Sequence, residues 1–300
     1  MSLLDLVDTM KCLSSIHYEI LRIMEKSIRR FEYVPLQYIA KRIRIKPNKL
    51  EEIMNYLNKH KLIKRKTREY TGFTLTYKGL DVIALRDLGA HGVITKVGPK
   101  IGMGKEGDIW VAYLDNTPRI IKLFRISRES FRKIKFHRYY YIPKRIYSWF
   151  ELSFRSAYRE FKALALLYRS GVHVPPPIAR SRHVIVMGYI DGRELVKTIL
   201  EDPTLIFRKI IVEIAKAYKA GIVHADLSEY NILVTPDAEV YIIDWPQYIA
   251  SNHPDALKYF EGDVTRIIKY FSRKYRVPGD QLRSIIQEEF KKLGLKIEFI

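Results

Sequence analysis

His224-Ala225-Asp226-Leu227-Ser228-Glu229-Tyr230-Asn231 is the stretch on which the reading of this chain turns, together with Ile242-Ile243-Asp244-Trp245-Pro246 just beyond it. An Asp and an Asn lie five apart, after an apolar-periodic segment, Arg208 to Ala220, that reads as a helix. Ile232-Leu233-Val234 then reads as a strand, Thr235-Pro236-Asp237-Ala238 as a turn, and Val240 to Ile243 as a returning strand that ends on Asp244. The spacing sets three oxygen-bearing side chains, Asp226, Asn231 and Asp244, at one edge of a hairpin. Hard cations and triphosphates are held by such groups. Three surface polar residues around a turn would be the bland alternative.

An upstream segment argues against that alternative. Ile101-Gly102-Met103-Gly104-Lys105-Glu106-Gly107-Asp108-Ile109-Trp110 is a glycine-rich turn between apolar runs. Glycines let backbone N–H groups approach phosphate oxygens with no Cβ in the way. Arg119 to Phe124 follows as a strand carrying Lys122. Such a lysine needs a carboxylate to hold it. Glu160 fits best, at the edge of the stripe Phe161, Leu164 and Leu167 on a helix expected over Ala157 to Tyr168. Glu129, within a basic run, and Glu151, on no clear helix face, are its rivals. Val172 to Pro177 reads as an extended connector, and His183 to Gly192 as a buried strand entering a turn.

This layout resembles that of protein kinases, where the catalytic loop reads Asp, four residues, Asn, then a hairpin and a metal-binding Asp. Within that group the chain resembles the RIO family of atypical kinases. The resemblance rests on Gly104-Lys105-Glu106, on Leu227 to Asn231, and on Ile243-Asp244-Trp245-Pro246-Gln247, where an ordinary kinase has Phe-Gly after the Asp. Pro246-Gln247 and Phe271-Ser272-Arg273-Lys274-Tyr275-Arg276 resemble the second, RIO-two subfamily of archaeal type. Only 56 residues follow Asp244 in this sequence, and no Ala-Pro-Glu anchor is among them.

The resemblance implies ATP with Mg²⁺, or Mn²⁺ in its place. It implies Asp226 and Lys122 as catalytic residues and Asn231 and Asp244 as metal ligands. Nucleotide contacts would come from Gly102, Gly104, Lys105, Glu106, Gly107, Ile109, Lys122, Glu160, Met187, Gly188, Ile190 and Leu233. Met187 would back the adenine pocket, with the backbone of Gly188 and Ile190 on the adenine edge. Two departures stand out: Gly107 where the family usually has Ser, and Gly188 where it often has Glu.

The first ninety residues read as another module. Ile16, Ile20, Leu21, Ile23 and Met24 form a helical stripe over Ser15 to Arg29. Val34 to Ile45 reads as a second helix. A third opens at Pro47 with Leu50, Ile53, Met54 and Leu57 inward. Strands over Leu62 to Arg65 and Phe73 to Tyr77 flank a turn, and a helix runs from Lys78 to Leu88. Three helices and a basic hairpin make a winged helix-turn-helix, with Lys64, Arg65, Lys66 and Arg68 on the wing. Residues 1–90 hold 18 Lys and Arg against 10 Asp and Glu. The RIO-two resemblance implies the same N-terminal module.

The expected architecture is α+β: a winged helix over 1–90, then a truncated bilobal RIO domain over 91–300, its N-lobe at about 91–190 and its C-lobe at about 191–300. The formal charge of +20 implies a polyanionic partner. A second basic stretch, Arg125 to Tyr147, interleaves Tyr139-Tyr140-Tyr141 and suits RNA as well as it suits a solvated loop. Ser127, Ser130 and Ser148 are candidate autophosphorylation sites. Cys12 stands alone, so no disulfide framework exists. No signal peptide or apolar run of membrane-spanning length is present, which makes the cytoplasm the expected compartment and excludes a membrane partner. The expected function is that of a serine/threonine kinase or ATPase in maturation of the small ribosomal subunit and its rRNA. A nucleotide-gated RNA-binding assembly factor without phosphotransfer is the alternative. A small-molecule phosphotransferase would share the catalytic loop but needs neither the charge nor the winged helix.

Overall fold

A computed structural model describes residues 3–67, 70–104, 107–126 and 149–295. By contact density the chain divides into two compact units. One holds residues 1–157 with 179–186, the other 158–178 with 187–300. The fold is α+β.

The first unit opens with α1 (Leu3–Lys11), α2 (Ser15–Ser27), β1 (Val34–Pro35), α3 (Leu36–Ala40), α4 (Pro47–Lys59), β2 (Ile63–Lys66), β3 (Gly72–Leu75) and α5 (Tyr77–Ala90). The sheet order is β1-β3-β2, all antiparallel, which is a winged-helix arrangement. Pro47 starts α4, where its missing N–H is no loss. Leu50, Ile53, Met54 and Leu57 are buried at helical spacing. The expected second helix over Val34 to Ile45 is shorter. Val34 and Pro35 pair with Phe73 and Gly72 as a strand, and only Leu36–Ala40 is α-helical. The helix α1 was not expected from the sequence.

The same unit continues into β4 (Lys96–Gly104), β5 (Gly107–Leu114) and β6 (Thr117–Phe124). Helix α6 (Trp149–Arg169) follows, its residues 158–169 belonging to the second unit, then β7 (Pro177–Ser181) and β8 (Val184–Gly188), whose residues 177–178 and 187–188 also belong to the second unit. The sheet order is β4-β5-β6-β8-β7. Helix α6 begins eight residues before the expected Ala157. Glu151, expected on no helix face, is therefore helical. It is buried and accepts from Arg29 Nε at 2.6 Å.

Winged helix and sheet are joined by polar groups rather than by grease alone. Asp81, in the otherwise apolar run Leu80 to Leu85 of α5, is fully buried. Its carboxylate accepts from Arg125 Nη2 at 2.5 Å and lies 2.8 Å from Nε2 of His183, itself fully buried. Arg125 also donates to Asp108 at 2.7 Å, and Lys100 Nζ is 2.5 Å from the other oxygen of Asp108. Tyr77 donates to the carbonyl of Ile126 at 3.0 Å and bonds Ser153 Oγ at 2.7 Å. Burial pushes the Tyr77 phenol up to about 12, so it stays a donor. Arg182 binds Glu25 and Asp87 from the sheet side. Arg125, expected as the first residue of a basic RNA-facing stretch, is thus committed to this ion cluster. Residues 127–148 of that stretch, with its serines, lie outside the described residues.

The second unit holds β9 (Arg193–Glu194), a short 3-10 turn, α7 (Pro203–Lys219), β10 (Ile222–Val223), β11 (Ile232–Val234), β12 (Val240–Ile242), β13 (Ile249–Ala250), α8 (Ala256–Tyr275) and α9 (Gly279–Lys292). Asp202 caps α7 by accepting from Leu205 N at 2.9 Å, so the helix starts at Pro203, before the expected Arg208. Strands β12-β11-β9 form one small sheet, and β10 pairs with β13. The expected hairpin is present, with Leu233 opposite Tyr241 and Glu194. Ile206, Phe207, Ile210, Ile211 and Ile214 of α7 and Phe260, Val264, Ile267 and Phe271 of α8 are buried. No helix of the described residues is long and apolar enough to cross a membrane.

Removing the Asp81 carboxylate leaves the buried His183 without its acid and Arg125 with Asp108 alone. Asp81→Ala should lower the stability of the full chain by about 3–5 kcal/mol, the scale for breaking a buried pair from one side. Urea unfolding measures this, and a loss below about 1 kcal/mol would mean that apolar contacts hold the junction.

Candidate active site

The loop that carries Asp226 is held from behind. Helix α8 puts Asp263 on its apolar face, between Phe260 and Ile267, and buries it. Its carboxylate accepts from the backbone N–H of Ala225 at 2.8 Å and of Leu227 at 3.0 Å. Those two amides straddle Asp226. Arg266 binds the same carboxylate and also donates to the carbonyl of Leu227 at 2.7 Å. Burial raises the Asp263 pKa, opposed first by His224 and then by the loop amide of Leu227. His224 is buried, packs at a tilt against Trp245 with ring centres 4.6 Å apart, and is 3.0 Å from the carbonyl of Ile243. The loop and the strand that leads to Asp244 are thereby tied together. Ala225 takes a left-handed φ of 67° and Asp244 one of 68°.

This framework leaves the candidate site groups outward. Asp226 is exposed, and its carboxylate makes no ion pair or hydrogen bond among the described residues. Asp244 is exposed too. Asn231 Nδ2 is 3.4 Å from Asp244 Oδ2, while Asn231 Oδ1 accepts from Ser228 Oγ at 2.6 Å. A half-turn of the amide exchanges these roles. It aims Oδ1 beside the Asp244 carboxylate and lets Nδ2 donate to Ser228. One carboxylate and one amide oxygen suit Mg²⁺, which keeps waters and takes phosphate oxygens instead of an all-protein cage. No cluster of three His, Cys, Asp or Glu that could hold a metal occurs among the described residues.

The second unit also carries Met187, Gly188 and Ile190, the residues expected at an adenine edge. Met187 is buried at the end of β8. Gly188 N–H donates to the carbonyl of Pro176 at 2.8 Å, so only its carbonyl remains to meet a purine. The carbonyl of Ile190 accepts from Gly192, which leaves its N–H. A Cβ at Gly188 would come within 2.9 Å of Pro176 Cδ, which explains Gly in place of Glu. Glu160 is buried on α6, and Leu233 is partly buried on β11.

In the first unit, the glycine-rich hairpin is β4–β5. Gly102 pairs with Ile109 and Gly104 with Gly107, while Lys105 and Glu106 lie outside the described residues. Ile109 pairs on its other side with Lys122. Lys122 is buried, with Nζ 4.9 Å from the Phe124 ring centre. A Cβ at Gly107 would sit 1.7 Å from the carbonyl oxygen of Leu123. Here a serine has no room, so the departure from the family follows from close approach of β5 to β6.

Residues 108–283 match the model of the RIO domain, and residues 10–91 match that of the Rio2 N-terminal domain. The chain belongs to the RIO family of atypical kinases, in its RIO2 subfamily. Over 277 residues it is 35% identical to the serine/threonine-protein kinase rio2 of Schizosaccharomyces pombe, covering 91% of this chain and 80% of that protein. The RIO-type serine/threonine-protein kinase Rio2 of Methanocaldococcus jannaschii is 34% identical, over 88% of this chain and 98% of the relative. The chain spans about half the length of the Dictyostelium discoideum relative, at 52%. Among solved structures, the Rio2 kinase–ADP/Mg²⁺–phosphoaspartate complex from Chaetomium thermophilum superposes with a TM-score of 0.79 at 31% identity, over 96% of this chain and 93% of that one.

Sequence reasoning passed over Asp263, Arg266 and Ser228. An acid at an apolar position of an amphipathic helix was the available signal for Asp263. Asp263→Ala should leave two loop amides and Arg266 without their acceptor. Turnover should fall at least about 10²-fold, the scale of lost preorganisation, with the chain still folded by circular dichroism. Parent-like turnover would mean that the loop holds its shape without α8.

Proposed function

We propose that this RIO2-type kinase uses ATP and Mg²⁺ to transfer the γ-phosphoryl group to a serine or threonine hydroxyl during assembly of the small ribosomal subunit. The observation that carries it is the outward-facing set Asp226, Asn231 and Asp244 on a loop fixed by Asp263. Asn231 and Asp244 would hold Mg²⁺, which neutralises phosphate charge when bound. Lys122 would contact the α- and β-phosphates, with Glu160 as its carboxylate partner. Asp226 would orient the acceptor hydroxyl and take its proton. The hydroxyl oxygen bonds to phosphorus as the bond to the bridging oxygen breaks and ADP leaves with that electron pair. Gly102, Gly104, Lys105, Glu106, Gly107 and Ile109 would cover the phosphates. Met187, Gly188, Ile190 and Leu233 would take the base. The domain boundary falls near residue 90, and the cytoplasm is the compartment this reading implies.

A second reading is favoured by the phosphoaspartate in the Chaetomium Rio2 complex. Here a carboxylate oxygen of the chain attacks the γ-phosphorus, ADP leaves, and water then cleaves the acyl phosphate. ATP use would gate assembly instead of labelling a substrate. Asp226 and Asp244 are the exposed carboxylates at the site.

RNA contact would come from the wing. Lys64 and Arg65 are exposed, and Lys66 Nζ lies 5.4 Å from the Tyr70 ring and 5.7 Å from Tyr33. Helix α4 supports this less than its charge count suggests, because Glu51 and Glu52 are exposed beside Lys49.

Asp226→Asn should abolish transfer while ATP binding stays near the parent level; self-labelling at the parent rate would refute its role. Lys122→Ala should reduce turnover at least about 10²-fold. If label on the parent is released by hydroxylamine, the acyl-phosphate reading stands; acid-stable, hydroxylamine-resistant label supports the hydroxyl acceptor. Replacing Lys64, Arg65, Lys66 and Arg68 by Ala should flatten the salt dependence of RNA binding by up to about four contacts, each roughly 0.7–0.9 in log–log slope. An unchanged slope would mean that the winged helix docks protein.

A further inference from the structure

The winged helix carries an open groove of about 630 Å³ away from the wing and from α4. It is lined by α2, α3 and α5 with the turn after α3, through Tyr18, Arg22, Lys26, Tyr38, Arg42 and Arg86, with the acids Glu19 and Asp87 at its edge. We propose that this groove binds a short stretch of single-stranded RNA, with phosphates on Arg42, Arg86 and Lys26 and an unstacked base against the arginine–tyrosine layers.

Two guanidinium groups in the groove already sit over aromatic rings. Arg86 lies 3.7 Å above the centre of Tyr18, and Arg42 lies 3.4 Å above Tyr38. The rings are themselves fixed. Tyr18 is buried and donates to the carbonyl of Met10 at 3.4 Å, and Tyr38 packs edge-on to Phe31 at 4.8 Å. A stacked guanidinium has lost most of its rotamer freedom before a ligand arrives, and it keeps its N–H fork in plane for phosphate oxygens.

The charge count in the groove favours an anion. Arg22 is neutralised by Asp87, which Arg182 also binds. Arg86 makes no hydrogen bond or ion pair among the described residues. The single hydrogen bond of Arg42 there goes to the carbonyl of Tyr38. Lys26 is exposed and makes no ion pair among the described residues. Three cations therefore face the groove against Glu19. The Tyr38 phenol is held below the ordinary phenol pKa, first by its hydrogen bond with Ser27 and then, against desolvation, by Arg42 and Arg30.

Shape decides between anions. A groove of this volume takes a nucleotide or two but not a duplex. Planar guanidinium groups set over tyrosine rings offer a stacking face, which single-stranded RNA uses and an acidic peptide does not. This site shares no residue with the wing, so either can fail alone.

The test uses the full chain and fluorescence anisotropy with labelled pentauridylate, with an RNA duplex of about 16 bp as the second probe. Arg42→Ala and Arg86→Ala should each weaken pentauridylate binding about 5- to 10-fold, the scale of one lost stacking or phosphate contact, while duplex binding changes less than about 2-fold. Arg86→Lys keeps the charge without the flat fork and should remain weakened. Wing replacement should instead lower duplex affinity more than pentauridylate affinity. Thermal melting confirms that each variant is folded. Unchanged pentauridylate affinity in both arginine variants overturns the proposal. So does tighter binding of a polyglutamate peptide that is lost in the same variants, which would make the groove a protein-docking site.

Discussion

The carboxylate of Asp263 is the constraint on which the site rests. It takes the amides of Ala225 and Leu227 from inside the fold, and this leaves the intervening Asp226 side chain pointing to solvent. A left-handed φ at a non-glycine such as Ala225 costs roughly 1–2 kcal/mol. Two backbone hydrogen bonds to a buried charge offset a cost of that size. Arg266 keeps the acid from being an isolated buried charge. His224 and Trp245 then carry the order across to the strand that ends at Asp244. A phosphotransferase needs its groups placed before the reaction more than it needs them reactive, because positioning and electrostatics supply most of the rate.

A comparable device sits in the first unit. Asp81 brings α5, the end of β6 and His183 into one buried cluster, and Asp108 extends it to the glycine-rich hairpin. The winged helix and the sheet fall in one compact unit, joined by this cluster and by a shared apolar core. Buried ion clusters of this kind specify geometry more than they add stability. Whatever the winged helix binds is thus connected, through Arg125 and Asp108, to the hairpin that carries Gly102 and Ile109.

Much of this was legible in the sequence because it is local. The loop, hairpin and Asp244 are encoded within about twenty consecutive residues, and the apolar stripes of α2 and α4 declare their buried faces. What stayed hidden depends on distant partners. Val34 and Pro35 become a strand only because Phe73 and Gly72 are there to pair with them. Asp81 and Asp263 interrupt apolar faces, and single charges at such places read as helix surface until a partner is seen. Gly107 and Gly188 looked like departures from a family pattern; each is where another element leaves no room for a side chain. The groove over α2, α3 and α5 draws on residues spread from Ser15 to Ala90, which no local motif gathers.

The central claim is that Asn231 and Asp244 hold the cation on a loop preset by Asp263. The most direct test is a crystal structure of the chain with Mg²⁺ and a non-hydrolysable ATP analogue. The account predicts Mg²⁺ about 2.1 Å from an Asp244 oxygen and from Asn231 Oδ1, with the amide turned so that Nδ2 faces Ser228. It also predicts Ala225 and Leu227 still bound to Asp263, and Lys122 against the phosphates. A cation bound away from Asn231 and Asp244, or a loop that leaves Asp263 when nucleotide binds, would contradict it.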